Sequence, residues 1–248
     1  MIEIKSEREI LIIERAGKIV RTALVEVSKI AKPGVTTGEL DKKAEEIIKG
    51  FNARSAFKGY RGFPGNICAS INEEVVHGIP GKTRLKSGDI LSIDIGVEKD
   101  GFYADAAITI EIGNTVSKAA KDLINATEEA LNAGIEKTVQ GNRLFDISHA
   151  IQAYVELRGY SVVRDFVGHG IGRKMHEDPE IPNFGKPGAG PRLKSGMVLA
   201  IEPMVNQGGY EVDILSDGWT AVTKDRKLSA HFEHTVYVTD GAPKVLTL

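Results

Sequence analysis

Two histidines and two acidic side chains lie within one short stretch, "VGHGIGRKMHEDP", at residues 167–179. His169 stands between two glycines, which permit close backbone approach or unusual dihedrals that a structural histidine seldom requires. Arg173 occupies the position where a dinucleotide-binding G-x-G-x-x-G motif needs its third glycine, so a phosphate-binding loop is excluded. Taken alone, a histidine is more often a core residue than a ligand. The interpretation of His169 as a metal ligand therefore depends on acids elsewhere in the chain.

One pair of acids lies in the segment "DILSIDIGVEKDGFYADAAITI", where alternating apolar runs flank Asp100 and Gly101. This dipeptide is a strong signal for a two-residue hairpin turn. With it as the turn, Asp94 faces Ala107 and lies diagonal to Asp105, so both carboxylates point to one face. A hairpin with a polar outer face explains the same pattern. However, the apolar neighbours of Asp94 predict burial, and a buried carboxylate needs a cation or a proton.

The second pair of acids follows from an internal repeat. The segments "RLKSGDILSID" (84–94) and "RLKSGMVLAIE" (192–202) align without a gap at an offset of 108, and both end in a carboxylate. Glu202 is therefore the counterpart of Asp94, and Glu233 follows it as Asp105 follows Asp94. Four converging carboxylates would raise each other's pKa and oppose folding unless divalent cations pair with them. Four oxygen ligands and one neutral imidazole suit Mn, Fe, Co or Zn.

The helical segments repeat at nearly the same offset, with Gly34 and Gly141 at corresponding hinges. Capping boxes open the first two predicted helices, at Ser6 with Glu9 and at Thr36 with Glu39. Two further helices are predicted from about 117 to 137 and from 144. We predict an α+β fold of pseudo-two-fold duplicated halves, about 1–112 and 113–248, with one curved antiparallel sheet and the helices packed on one face. The range 1–248 is expected to form a single catalytic domain.

Composition narrows the function classes. The net charge of -2 supplies no basic field for extended nucleic-acid or membrane-surface binding. Cys68 is the only cysteine, so neither an internal disulfide nor a thiolate-rich zinc site is possible. The first residues are charged where a signal peptide needs an apolar core, and no apolar run has the length of a membrane span. These features predict a cytoplasmic protein without a membrane segment.

The ordered set of ligand candidates resembles that of the methionine aminopeptidases, which are metallopeptidases of the pita-bread fold. The resemblance spans essentially the whole chain and includes "NEEVVHGIP", "DIGV", "DAAITI", "VGHGIGRKMHEDP", "IEPMV", "DGWTAVT" and "SAHFEHT". The length is similar to that of the short bacterial type I form. The resemblance implies removal of the N-terminal methionine from nascent proteins and peptides, with preference for a small second residue.

The resemblance also implies a role for each site residue. Two divalent metal ions per chain (Co, Mn, Fe or Zn) activate a water for attack on the first peptide bond. Asp94 binds one ion, His169 and Glu202 bind the other, and Asp105 and Glu233 bridge both. His176 stabilises the developing oxyanion, His77 contacts the scissile amide nitrogen, and Glu202 relays the proton. The methionine pocket consists of Tyr60, Phe63, Cys68 and Trp219 beside His77 and His176, with Phe57 and Met175 as further candidates. We interpret His149, His231 and His234 as structural.

Two alternative functions remain open at this level. A proline-specific peptidase of the same fold shares the five-ligand set but usually carries an additional N-terminal domain, for which 248 residues leave no room. A non-catalytic peptide-binding relative typically loses metal ligands, whereas all five are present here. The expected partners are the N-terminal methionines of nascent polypeptides, with transient ribosome contact, and the protein is expected to be a monomer.

Overall fold

The computed structural model describes residues 2–248. In each half of the chain, two helices precede a run of strands. The helices are α1 (Glu7–Ile30), α2 (Thr37–Gly50), α3 (Lys118–Glu136) and α4 (Leu144–Glu156), with a short 3₁₀ helix at Tyr60–Gly62. The strands before α3 are β1 (Arg54–Ser55), β2 (Cys68–Ile71), β3 (Glu74–Val76), β4 (Ile90–Lys99) and β5 (Phe102–Glu111). Those after α4 are β6 (Ser161–Val162), β7 (Gly168–Gly170), β8 (Glu177–Ile181), β9 (Val198–Ile201), β10 (Met204–Asn206), β11 (Val212–Ile214), β12 (Ala221–Thr223), β13 (Ser229–His231), β14 (Glu233–Tyr237) and β15 (Lys244–Val245). No helix in the described range is long and apolar enough to cross a membrane.

The first helix begins where its sequence predicts. The backbone N–H of Ser6 donates to the Glu9 carboxylate at 2.8 Å, which is one arm of the predicted capping box. Along α1, Ile13, Val20 and Val27 recur every seven residues and are fully buried. This spacing places them on one face of the helix, and that face packs against β4 and β5.

The main sheet has nine strands, with the path β1-β4-β5-β14-β9-β7-β8 and with β2 and β15 pairing to β4 and β14. The strands β4 and β5 form the predicted hairpin, in which Asp94 pairs with Ala107 and Gly96 with Asp105. The predicted register is therefore confirmed. Because side chains alternate across a strand, Ile93 and Ile95 pack under α1 while Asp94 projects from the opposite face. The remaining strands form two three-stranded sheets, β13-β10-β6 and β11-β12-β3.

The predicted duplication is visible in the sheet and in its hinges. The central order β4-β5-β14-β9 places each strand opposite its repeat counterpart about the β5/β14 junction. The N–H of Gly34 donates to the carbonyl of Leu85 at 2.8 Å, and the N–H of Gly141 donates to that of Leu193 at 3.0 Å. A first apolar core lies between α1, α2 and the β4/β5 hairpin, and a second lies between α3, α4 and the β9/β14 pair. The pseudo-two-fold α+β prediction is confirmed.

Candidate active site

A cavity of about 180 Å³ opens on the sheet face that is opposite α1 and α2. It is lined by all of the residues predicted as ligands, catalytic groups or pocket walls, and by one that was not predicted, Arg61. The lining residues are Phe57, Tyr60, Arg61, Phe63, Cys68, His77, Asp94, Asp105, His169, Met175, His176, Glu202, Trp219 and Glu233. The fold thus brings distant residues together in one cavity. Phe57 and Glu233, for example, are 176 positions apart in the sequence.

Three of the acids meet across the centre of the sheet. Asp94 on β4 and Glu233 on β14 both pair with Ala107 of β5, from its two sides. Asp105 precedes Ala107 by two residues, so its side chain projects from the same face of the sheet. The hydroxyl of Thr235 binds the backbone N–H and carbonyl of Asp105 at 2.9 and 2.8 Å, which fixes the junction between the halves.

His169 and Glu202 approach from the second half. His169 on β7 pairs with Ala200 of β9, and its Nε2 lies 3.5 Å from Glu202 Oε1. Its Nδ1–H donates to the Gly170 carbonyl at 2.9 Å, so the Nε2 lone pair is available to a metal ion. A Cβ at Gly168 would lie 2.5 Å from the carbonyl oxygen of Ala200. The glycine on that side is therefore required by close strand pairing.

The donor set fits divalent cations. One ligand atom each from Asp105, His169 and Glu233 lie within 4.8 Å of one another. One oxygen each of Asp94, Asp105 and Glu233 is buried without a hydrogen-bond partner among the described residues. Burial raises the pKa of Asp105 to about 7. Burial and then the neighbouring carboxylates raise the pKa of Asp94 and of Glu233 well above the usual value. Such unpaired buried acids are tolerable when cations pair with them.

Two further histidines, His176 and His77, line the same cavity. The Nδ1 of His176 lies 2.9 Å from the hydroxyl of Tyr60, and its ring centroid is 4.3 Å from that of His169. Burial and the charge of Arg61 lower the pKa of His176. Burial lowers the pKa of His77 to about 4, and that of His169 to about 3. Each imidazole is therefore uncharged near pH 7.

Beside the acids lies an apolar slot. Phe63 packs edge-on against Trp219 with ring centroids 5.2 Å apart, and against Phe57 at 6.5 Å. Cys68 pairs with Asp94 across β2 and β4, so the slot adjoins the carboxylates. Burial raises the pKa of the Cys68 thiol well above its usual value, which keeps it a neutral wall group. Met175 is buried in the same cluster.

Two residues around the cavity were not predicted as functional. Arg61 lines the rim, with its guanidinium 5.5 Å from the centroid of the Tyr60 ring. His231, which was interpreted as structural, has its Nε2 3.7 Å from Glu202 Oε2 and is fully buried. In the sequence, only its position two residues before Glu233 indicates that His231 lies near the site. His234 instead bonds Thr247 at 2.8 Å. His149 lies on the exposed side of α4.

Comparison with known proteins identifies one family. Residues 12–240 match the metallopeptidase family M24. The methionine aminopeptidase of Clostridium perfringens is 56% identical over 248 residues, which cover 100% of this chain and 99% of that protein. The crystal structure of the Thermotoga maritima methionine aminopeptidase superposes with a TM-score of 0.98 at 48% identity and covers 100% of this chain and 99% of that chain. The Pyrococcus horikoshii prolidase superposes with a TM-score of 0.80 at 24% identity, with coverage of 99% and 63%, and shares the fold.

Proposed function

The chain belongs to metallopeptidase family M24 and, within it, to the methionine aminopeptidases, and we propose that it removes the N-terminal methionine from nascent proteins and peptides with preference for a small second residue. One observation carries this proposal. The same cavity joins a group of carboxylates, three of which each have one buried oxygen without a hydrogen-bond partner among the described residues, to an apolar aromatic slot. The first can bind metal ions, and the second can take an unbranched thioether.

Five side chains would hold two divalent ions of Co, Mn, Fe or Zn. Asp94 would bind one ion, His169 and Glu202 the other, and Asp105 and Glu233 would bridge both. When bound, such ions polarise the scissile carbonyl and activate water near neutral pH. The chain's own contribution is to hold the imidazole of His169 in one tautomer through the Gly170 carbonyl and to bury Asp105 and Glu233 away from water.

His176 is the donor for the developing oxyanion. The Tyr60 hydroxyl can donate to Nδ1 of His176 across 2.9 Å, which leaves the ring proton on Nε2. Because burial lowers the pKa of His176, the ring enters the reaction neutral and can strengthen its hydrogen bond as negative charge develops. A preorganised donor of this kind acts mainly in the transition state.

His77 and Glu202 act on the leaving amine, the first by a hydrogen bond and the second by proton delivery. The His77 ring is wedged between Phe166 and Trp219, with centroids 5.3 and 6.3 Å away, which fixes its orientation. It is neutral because burial lowers its pKa to about 4, so it can hydrogen-bond the scissile amide nitrogen. Burial and the neighbouring Asp105 raise the pKa of Glu202, which suits it to accept a proton and deliver it to that nitrogen.

The slot selects methionine. Tyr60, Phe63 and Trp219 offer aromatic surface, and sulfur packs favourably against aromatic rings. Cys68 and Met175 add polarizable walls, and Phe57 closes the slot behind Phe63. A β-branched first residue would clash with these walls. A charged first residue would lose its hydration in the slot.

The wider setting follows from this substrate. We propose that residues 1–248 act as one catalytic domain with halves of about 1–112 and 113–248. Nascent chains are made in the cytoplasm, so we also propose cytoplasmic action, transient contact with the ribosome and a monomeric enzyme. Size-exclusion chromatography with light scattering and co-sedimentation with ribosomes test the last two proposals.

Hydrolysis of Met-Ala-Ser compared with a Xaa-Pro peptide tests the function. We expect cleavage of the first peptide, loss of activity with a chelator and recovery with Mn, Co or Fe(II) under anaerobic conditions. Preferred cleavage of the Xaa-Pro peptide would favour the proline-specific alternative, of which the Pyrococcus horikoshii prolidase is 24% identical to this chain. Binding without cleavage in every metal condition would favour a peptide-binding protein.

A further inference from the structure

A buried ion pair ties the start of the chain to the loop that carries His176. Nζ of Lys5 lies 2.5 Å from Oε2 of Glu177, and only 3% and 8% of the two side chains are exposed. The two residues are 172 positions apart in the sequence. Glu3 also approaches Lys5 Nζ, at 3.3 Å, but its side chain is largely exposed. Glu177 is therefore the buried partner of the ammonium group.

Both members of the pair are fixed by further contacts. The backbone N–H of Lys5 donates to the carbonyl of Gly196 at 2.7 Å, which anchors the segment before α1. The other carboxylate oxygen of Glu177 accepts from the N–H of Lys174 at 3.0 Å. The Lys5 side chain passes directly over Gly172, where a Cβ would overlap its Cε. The loop 172–176 is thus folded around the ammonium group and its aliphatic stem.

This loop forms one wall of the active site. It contains Met175, which lines the methionine slot, and His176, whose chain neighbour is Glu177. At its other end, the carbonyl of Gly172 accepts from the N–H of Tyr103 at 2.8 Å. The contacts of Glu177 and Gly172 therefore bracket the two residues that face the substrate.

A contribution to folding stability alone does not account for the buried ion pair of Lys5 and Glu177. Removing two charges from water costs several kcal/mol per ion, and an apolar pair of similar volume often stabilises a fold as well or better. A buried pair gives directional constraint that an apolar contact does not, because the carboxylate must meet Lys5 on one side and the Lys174 N–H on the other.

We propose that Lys5 is a positioning residue that acts through Glu177 to hold His176 in its reactive orientation. The inference rests on the proposed role of His176 in methionine removal. Lys5 does not line the cavity, so it contacts neither the substrate nor the proposed metal ligands directly.

A second ion pair between the same two regions provides a matched control. Arg173 lies 2.7 Å from Glu9 of α1, but 60% of its side chain is exposed. Ion pairs of this kind, exposed at the surface, contribute little to the stability of a fold. Arg173→Ala should therefore leave kcat and KM within about twofold of the parent enzyme, whereas Lys5→Met should not.

The experiment is a double-mutant cycle that joins Lys5→Met to His176→Ala in the metal-loaded enzyme, with Met-Ala-Ser as substrate. Lys5→Met should lower kcat tenfold or more, with KM within twofold and metal content unchanged. In the His176→Ala background, the same change should lower kcat by less than twofold, because the group that it positions is already absent. Glu177→Gln, which keeps the side-chain volume, should reproduce the pattern and replaces Lys5→Met if that variant does not fold.

The outcomes separate the inference from the proposed function. Full activity of Lys5→Met, or multiplicative losses in the double variant, would overturn the positioning role and leave methionine removal intact. Loss of metal from Lys5→Met would also overturn it, because the effect would then act on the ligands. Full activity of His176→Ala would instead contradict the proposed oxyanion role, and the positioning role with it.

Discussion

At equivalent positions in the two halves of the sheet, the protein carries Ser70 and His169. Ser70 pairs with Ser92, and His169 pairs with Ala200, which is the counterpart of Ser92 at the repeat offset of 108. The hydroxyl of Ser70 accepts from the N–H of Gly78 at 3.1 Å and is buried in the fold. The imidazole of His169 faces the carboxylates instead. The same backbone site therefore serves structure in one half and the proposed metal binding in the other.

The hinges of the two halves, by contrast, have kept the same contacts. Arg84 donates to the carbonyl of Gly34 at 2.6 Å, and Arg192 donates to that of Gly141 at 3.0 Å. Both glycines have positive φ, +93° and +94°. The fold requires the hinge contacts in both halves, so they occur twice. The proposed chemistry requires a histidine at only one of the two equivalent positions. The first half supplies most of the methionine slot, and the second supplies the only nitrogen ligand in the proposed set.

The largest effect should come from the proposed bridging acids, which belong to opposite halves. Asp105→Ala and Glu233→Ala should each abolish activity and reduce metal content, because each carboxylate serves both ions. Turnover of Met-Ala-Ser and metal analysis of the purified protein measure this. Glu74→Gln, at a half-buried carboxylate outside the cavity, is the control and should keep its metal. Near-normal turnover at unchanged metal stoichiometry in either alanine variant would contradict the two-ion assignment.

The second effect distinguishes the two histidines of the opening motif. His176→Ala should keep its metal and lose about 100-fold in kcat, since removal of one oxyanion donor costs roughly that much. His149→Ala, at the surface of α4, should behave like the parent enzyme. Parallel metal analysis and kinetics provide the measurement. If His176→Ala loses metal, the roles of His169 and His176 have been exchanged.

The third effect concerns the residue after the scissile bond, which we propose lies between histidines from different halves. His77 and His176 both line the cavity. With the methionine side chain in the slot, as proposed, the second residue would have little room. Met-Xaa-Ser peptides with Gly, Ala or Ser should have kcat/KM values at least about tenfold above those with Leu, Lys or Glu, in the range that steric discrimination achieves. Similar values for Ala and Leu would rule out a crowded rim, even if methionine selectivity held.

Local sequence signals were sufficient for much of this arrangement. The Asp100-Gly101 turn fixes the register of the hairpin, and the register places Asp94 beside Ala107 as predicted. The repeat then predicts where Glu202 lies. The burial of Lys5 could not be predicted, because its partner Glu177 is distant in the sequence and nothing in a charged N-terminal segment indicates a buried ammonium group.

The same limit applies to residues at the edge of the site. His231 follows the alternating pattern of its strand, and only the packing of β13 against β10 brings its Nε2 to Glu202. Arg61 adopts a positive φ of 49°, a conformation that is uncommon for residues other than glycine and that no sequence pattern here predicts. The positions of Arg61 and His231 depend on tertiary contacts, whereas the turn of the β4/β5 hairpin sets the positions of its side chains.

The fourth effect is on stability, to which acids of both halves contribute. Without metal, the pKa of Asp105 is raised from 3.8 to about 7, so the folded state holds a proton that the unfolded state releases. The contribution of Asp105 to the stability of the metal-free protein should therefore fall as pH rises from about 4 to 7. Metal binding needs deprotonated ligands and strengthens over the same range. The difference in Tm between loaded and chelated protein should be larger at pH 7.5 than at pH 5.5, and Asp105→Asn should reduce this dependence. An equal difference at both pH values would contradict a shared acid cluster.

The smallest effect tests whether the hinges are as equivalent as they look. A Cβ at Gly34 or at Gly141 would meet no atom within 4 Å, so alanine at either position introduces backbone strain and no clash. Forcing a residue with a side chain into the left-handed region costs about 1–2 kcal/mol. Gly34→Ala and Gly141→Ala should therefore lower the free energy of unfolding by similar amounts of this size, while kcat and metal content stay unchanged. Denaturant unfolding of the metal-loaded protein measures the cost. A clearly larger loss of stability at one hinge, or a loss of activity at either, would show that the hinges have diverged as the proposed metal site has.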